Sequence, residues 1–340
     1  MVDVARAYTF AWRAAPRVPE PVLRAAFTVI ADVAWARRGA GVRRLEANYA
    51  RVRPELDAAA VRRLARAGMR SYMRYFREAF TLQGASREQI TARVRVVGDE
   101  NVRAAREDGA AIALALGHLG NWDLAGAWAT PHLAPVLTVA EHLKPEALYE
   151  EFVGFRRSLG IEVIGLGERD VFRRLVRGAR AGGRIVPLLA DRDLTATGVE
   201  VDLAGGRARV AAGPAALALA AGVDLVPAAI TYERLSGARR RAAGTPWGIV
   251  IHFHPPVPVP VPDPALTGPE RRRAQIAAMT QAWVDALAVT LRERTEDWHM
   301  LQRVFVEDLD PARYARTREQ AGEAPVRAPD AMRQTVEAPE

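Results

Sequence analysis

The sequence predicts an α/β sheet with helices on both faces, on three observations. From residue 94 to about 255, short apolar runs of strand length alternate with helix-length amphipathic segments. One of those runs, "AIALALG", is apolar throughout, as a strand buried on both faces must be. The 340 residues are 49% hydrophobic and 26% charged, enough for a sizeable core in one large domain or two small ones.

The elements follow in order. Residues 4 to 80 carry a helical pattern. In "VLRAAFTVIADVAWARRG" Val22, Phe27, Ile30, Val33 and Trp35 fall near one stripe, edged by Arg24, Arg37 and Arg38, and Gly39 and Gly41 stop it. In "VRRLARAGMRSYMRYFREAF" Arg alternates with Leu64, Met69, Tyr72, Tyr75, Phe76 and Phe80. Such basic aromatic helices either lie in a membrane interface or cover the core of the next domain. "VRVVG" is then a strand and "NVRAAREDG" a helix ended by Gly109. "AIALALG" is a strand, "NWDLAGAWAT" a helix ended by Pro131, "APVLTVA" a strand and "PEALYEEFVGFRRSLG" a helix. "IEVIGL" and "RIVPLLAD" are strands around the helix "ERDVFRRLVRGARAGG". "AGPAALALAAG" is a helix, "VDLVPAAITYE" a strand, and "WGIVIHFHPPVPV" the last long strand, closed by prolines. Residues 269 to 294 form one more helix, and the tail from about 311 is polar and expected to be disordered. The organisation is one domain over 1–310, made of N-terminal helices over 1–85 and an α/β core over 94–300.

Composition removes several chemistries. Without cysteine there is no disulfide, thiolate metal site or cysteine nucleophile. No signal peptide is expected, because Asp3, Arg6 and Arg13 interrupt any apolar run, and no stretch of eighteen apolar residues occurs. The net charge is +8, and residues 1–80 alone hold 16 Arg against 7 acidic residues. That surplus is a solvated helix face, or else it addresses an anionic membrane or nucleic acid. No nucleic-acid motif accompanies it, and its arginines are interleaved with acidic and apolar residues. His252 and His254 alternate on a strand without further ligands, so no metal is expected there. His299 in "EDWHML" is expected to be structural, "GLGERD" lacks the dinucleotide spacing, and no G-x-S-x-G is present.

The candidate site is "ALGHLGNWD". A parallel strand delivers its C-terminal end to the ligand crevice of an α/β sheet, and His118 sits there. Asn121 can cap the next helix, which places Asp123 in its first turn. The turn through Gly120 would let His118 and Asp123 converge. An aspartate beside a histidine fixes its tautomer and raises its basicity, so the ring can take a proton from a hydroxyl. The adjacent helix N-terminus offers amides to an anion. Transfer of an acyl group from a thioester to an alcohol needs such a pair and no enzyme nucleophile.

"HLGNWD" resembles the H-x4-D/E motif of the lysophospholipid acyltransferase superfamily, and more closely the lipid A lauroyl/myristoyl acyltransferase-like branch with its H-x-G-N-W-D/E. "AEHLKPEALYEEFVGFRRSLGIEV", "LLADRDLTATGVEVDLAGGRARVAAGPAALAL" and "EDWHMLQRVFVEDL" are similar to actinobacterial members that acylate mannosylated phosphatidylinositol, as are "GAGVRRLEANYARV" and "RSYMRYFREAF". The resemblance covers residues 5 to 310. It implies a mixed, mainly parallel sheet of the glycerol-phosphate acyltransferase type, with the acyl chain in an apolar tunnel and no metal or redox cofactor. It implies acyl-CoA, in particular palmitoyl-CoA, as donor. It further implies a mannosylated phosphatidylinositol acceptor, an anionic membrane surface, no nucleic acid, and a peripheral monomer at the cytoplasmic face of the plasma membrane. By the same resemblance His118 is the general base and Asp123 its support, with Glu200 a second orienting carboxylate. Asp191, Asp193 and Asp202 compete with Glu200 within the same stretch. Glu141 and Arg156 stand as acceptor-site residues, with Asn121, Trp122, Asp193 and Arg209 also at the substrate; Arg209 precedes a helix and would hold an anion.

Overall fold

The computed structural model describes residues 15–142, 146–195, 197–261 and 263–320. The expectations for residues 1–14 and for the tail 321–340 lie outside them. The strands are β1 (Val94–Val97), β2 (Ile112–Leu116), β3 (Val136–Ala140), β4 (Ile161–Gly165), β5 (Ile185–Leu189), β6 (Gly198–Leu203), β7 (Gly206–Ala211), β8 (Asp224–Arg234) and β9 (Trp247–Phe253). Seven of them form one sheet in the order β1-β9-β8-β2-β5-β3-β4. Only β8 and β9 pair antiparallel within it; the other neighbours are parallel, so the sheet is mixed and mainly parallel.

Alternation along β2 divides the interior. Ile112, Leu114 and Leu116 point to one face, beneath the helix Trp122–His132, together with Ile185, Ala228, Ile230, Ile251 and Phe253. Ala113 and Ala115 point to the other, where Trp283 and Leu287 of the long helix Gly268–Glu293 and Leu45 and Tyr49 of the helix Ala40–Val52 close the core. Both faces are covered, which is why β2 is buried at every residue.

The structure differs from the sequence reading at four elements. The stretch 198–211 forms an antiparallel hairpin, β6–β7, apart from the main sheet. Pro131 lies inside its helix, which runs on to His132. The segment Pro311–Gln320 is a helix, and its Tyr314 hydroxyl bonds Glu200 on the hairpin, so order continues past 311. The stripe expected on the helix Glu20–Arg37 splits in two. Leu23, Ala31 and Phe27 turn inward, Phe27 against Phe80, whereas Val22 (59% exposed), Val29 (61%), Ile30 and Val33 face outward. Most aromatics of the helix Ala58–Leu82 cover the core, as the second of the two readings had it. Among the described residues no helix is long and apolar enough to cross a membrane.

Candidate active site

The site is assembled by register. Leu116 of β2 pairs with Leu189 of β5, so two residues beyond each strand end His118 and Asp191 arrive at the same height. Ala190 N–H donates to Leu116 O at 2.8 Å and holds the two ends together. Asp191 is fully buried; its Oδ1 lies 2.5 Å from Nδ1 of His118, and its Oδ2 accepts the backbone N–H of His118 at 2.9 Å. Gly117 permits this approach, since a Cβ there would stand 2.6 Å from Leu119 Cδ1 and 3.2 Å from Asp191 Oδ2. Gly120 makes the return turn at φ +60°, with space for a Cβ closed by the carbonyl of Ile230 at 2.4 Å.

Burial works against the charge of both partners, and their mutual attraction outweighs it. Desolvation pulls the His118 imidazole down, but the charge and hydrogen bond of Asp191 leave it above the ordinary histidine value. Desolvation pushes Asp191 up, and His118 together with the indole N–H of Trp298 at 2.8 Å brings it below the usual carboxylate range. An ionised Asp191 can only accept, so Nδ1 of His118 carries the proton and Nε2 offers a lone pair. The ring reaches solvent over 38% of its surface, so a substrate can meet it.

Asp123 does not support His118. It lies in the first turn of its helix, and its side chain accepts from the Tyr75 hydroxyl and from Arg156 Nε, both at 2.8 Å. Side chains of a helix lean back over its N-terminal turn, and here that direction leads into the buried Tyr75–Arg156 pair rather than to the strand end. Desolvation lowers the Arg156 guanidinium, but Asp123 outweighs it and holds the guanidinium above its usual value. Glu200 also lies elsewhere. It faces Arg209 across the hairpin and binds Arg207, Arg209, Tyr314 and Arg318, a cross-strand cluster that docks the last helix. The competitors resolve in favour of Asp191. Asp193 orders its own loop through Thr195 N–H and the Thr197 hydroxyl, and Asp202 receives Gly205 N–H in the hairpin turn.

Two further expectations change, those for Asn121 and Arg209. Asn121 is wholly buried; its Oδ1 caps the helix at Leu124 N–H and its Nδ2 donates to Glu78, so it belongs to the framework. Arg209 is committed to the carbonyls of Gly198 and Thr195 and to Glu200 rather than to an anion. His252 and His254 rest against Thr231 and Thr290, and no group of three metal-binding side chains occurs among the described residues. Glu141 is exposed, one residue beyond the end of β3.

Trp122, packed edge-on to His118 with ring centroids 5.6 Å apart, leads into a largely apolar pocket. The pocket runs between the helix Trp122–His132 and one face of the sheet. Trp122, Asp123 and Arg156 line it at the site end, Leu114, Pro187 and Ala228 along the sheet, and Leu133, Val136 and Ile161 at the far end. Beyond Trp122, Asp123 and Arg156, these lining residues were not expected from the sequence. The signal was the small-residue face Ala125, Gly126 and Ala129, which leaves room that Leu or Phe would fill.

Beneath the dyad lies a segment that sequence reasoning treated only as structural. His299 N–H donates to His118 O at 2.8 Å, and Gly120 N–H donates to Asp297 O at 3.0 Å. Burial, and then the positive charges of Arg74 and His118, push the His299 imidazole down to about 3, so it stays neutral; burial pushes the Asp297 carboxyl up to about 6.

The sequence profile of the bacterial lipid A biosynthesis acyltransferases matches residues 3–307. A phosphatidylinositol mannoside acyltransferase of Mycolicibacterium smegmatis is 36% identical over 311 residues, which cover 91% of this chain and 93% of that protein. One of the same name from Mycobacterium tuberculosis (strain H37Rv) is 38% identical over 316 residues, 92% of each. A solved 1-acyl-sn-glycerophosphate acyltransferase of Thermotoga maritima covers 65% of this chain and 87% of its own at 18% identity, with a TM-score of 0.30. The matched span takes in the His118–Asp191 pair, the pocket wall and the segment beneath them, and with relatives this similar over almost the whole chain, the protein belongs to the bacterial lipid A biosynthesis acyltransferase family.

Proposed function

We propose that the protein transfers a long-chain acyl group from acyl-CoA, palmitoyl-CoA in particular, to a mannose hydroxyl of a phosphatidylinositol mannoside, with His118 as general base. The observation that carries this reading is the 2.5 Å contact between His118 Nδ1 and buried Asp191, set beside the mouth of a long apolar pocket. Nε2 of His118 takes the proton of the acceptor hydroxyl while its oxygen bonds to the thioester carbonyl carbon. The tetrahedral adduct then collapses, the carbon–sulfur bond breaks, and the leaving thiolate recovers the proton from Nε2. The acyl chain occupies the pocket below Trp122, and Glu141, on the rim at the strand ends, accepts hydrogen bonds from sugar hydroxyls. No step calls for a metal or a redox cofactor. The names of the mycobacterial relatives support the mannoside acceptor.

The protein works as a peripheral monomer at the cytoplasmic face of the plasma membrane. The outward Val22, Val29, Ile30 and Val33 give the helix Glu20–Arg37 an exposed apolar face, and exposed Arg37 at its end and Arg43 and Arg44 on the next helix add positive charge. The test of the chemistry is turnover of palmitoyl-CoA with purified phosphatidylinositol mannoside. His118→Ala is expected to lower kcat about 10²- to 10⁴-fold with the fold intact by circular dichroism. Near-normal turnover in the folded variant refutes the base assignment.

A further inference from the structure

We propose that Trp298 is a positioning residue for acyl transfer, acting on His118 through Asp191; the proposal rests on the reading of His118 as the base. The two Asp191 oxygens are divided between their partners. Oδ2 accepts Trp298 Nε1–H at 2.8 Å and the His118 backbone N–H at 2.9 Å, which leaves Oδ1 to the His118 ring. A carboxylate held by a single contact can rotate about its Cβ–Cγ bond and let the imidazole swing with it. Pinned at Oδ2 from two directions, its plane is set, and with it the tautomer and aim of the ring.

Trp298 is itself immobile. It is wholly buried, and its carbonyl accepts the Tyr49 hydroxyl at 2.8 Å. Its neighbours tie the same loop: Asp297 O takes Gly120 N–H and His299 N–H reaches His118 O. The Asp297 carboxylate is in turn held by Tyr232 N–H at 2.8 Å and the Ser71 hydroxyl at 2.7 Å. Three consecutive residues thus grip the strand end at His118 and Gly120 and at the carboxylate opposite. Bulk alone does not call for an indole here. Trp283, in the same core and equally buried, has an Nε1 with no partner, and there the ring serves as volume. At Trp298 the N–H has a defined acceptor in the site. The charges that act on the His118 ring besides Asp191 are Arg192 and Arg156, both opposing its protonation.

The test is Trp298→Phe, which keeps most of the packing and deletes the donor. Expected are a kcat about 10- to 100-fold lower, by analogy with residues that orient metal-bound histidines, and an unchanged KM for palmitoyl-CoA and for acceptor. The acidic limb of the pH–rate profile should move to higher pH, because a carboxylate deprived of a donor holds the imidazole proton more tightly. A folded Trp298→Phe protein with lower Tm but unchanged kcat and limb shows a packing role only and overturns the proposal. Should Trp298→Phe not fold, indole ¹H–¹⁵N spectra of Trp122→Phe decide, since that variant removes the other indole against His118. One remaining indole signal should follow the His118 titration and cease to do so in Asp191→Asn; if none follows it, the proposal fails. A folded His118→Ala that turns over normally removes the base assignment and this proposal with it. An inactive His118→Ala beside an unaltered Trp298→Phe removes this proposal alone.

Discussion

In the proposed mechanism Asp191 makes a half-exposed histidine into a base by two means, orientation through Oδ1 and charge through the whole carboxylate. The second has a measurable sign. A base must be neutral to act, and Asp191 raises the His118 pKa, so activity should be lost as pH falls through a value above the ordinary ~6.5 of histidine. In Asp191→Asn the raising charge is gone while desolvation remains, so the acidic limb should shift to lower pH even as kcat drops. A pH–rate series on both proteins checks this, and a limb that stays in place contradicts the assignment of the partner. His118 was legible in the sequence because a strand end, a glycine turn and an N-cap converge on it. Asp191 was one of four acidic candidates, and a parallel-register rule would have chosen it: "LLAD" ends its strand as "ALGH" does, two residues past the last paired leucine. Asp123 misled because nearness in sequence is not nearness in space when a helix begins between the two residues.

The helix Trp122–His132 shapes the pocket by what it lacks. Trp122, Ala125, Gly126, Ala129 and then Leu133 follow one face at three- and four-residue steps, so the pocket widens between a large ring and a large floor. Ala129 lies about 10 Å from Trp122 at 1.5 Å of rise per residue. Ala129→Leu should therefore shorten the chain that fits: kcat/KM for palmitoyl-CoA is expected to fall about 10-fold or more relative to lauroyl-CoA. A competition assay with the two donors reads the ratio, and an unchanged ratio places the chain elsewhere. At this scale the apolar strands were readable because both faces of each are buried. The hairpin β6–β7 was missed although Val199, Val201 and Leu203 alternate with Glu200 and Asp202, because its two-residue turn, Ala204 at φ +54° and Gly205 at φ +91°, puts a non-glycine residue in the left-handed region.

At the scale of the whole molecule, the N-terminal arginine surplus and the outward valines of residues 22–33 lie largely in different helices. The outward valines and Ile30 belong to the helix Glu20–Arg37, whereas several arginines of the next two helices are spent internally, Arg62 on Glu46 and Arg66 and Arg70 on Asp32. Part of the formal surplus is thus structural, which composition could not reveal. The remaining exposed arginines contribute about 1 kcal/mol each at an anionic leaflet, screened over about 10 Å. Binding to phosphatidylinositol-containing vesicles should weaken but persist as salt rises. Neutralising Arg37, Arg43 and Arg44 should remove the salt-sensitive part, and replacing Val22, Val29, Ile30 and Val33 by Ser the part that persists. Vesicle co-sedimentation over a salt series measures both, and equal binding of wild type and both variants shows that this face is merely solvated.

The grip of residues 297–299 on the loop at His118 also sets a calendar for the newborn enzyme. Synthesis delivers β2 and β5 to the folding chain long before the segment that holds Trp298 leaves the ribosome. Until then the imidazole and its carboxylate can meet but are not held, and Tyr49, Asn48 and Ser71 wait with hydroxyl and amide groups for carbonyl and carboxylate partners near the far end of the chain. A nascent chain that has not yet delivered residues 297–299 is thus an acyltransferase in outline only.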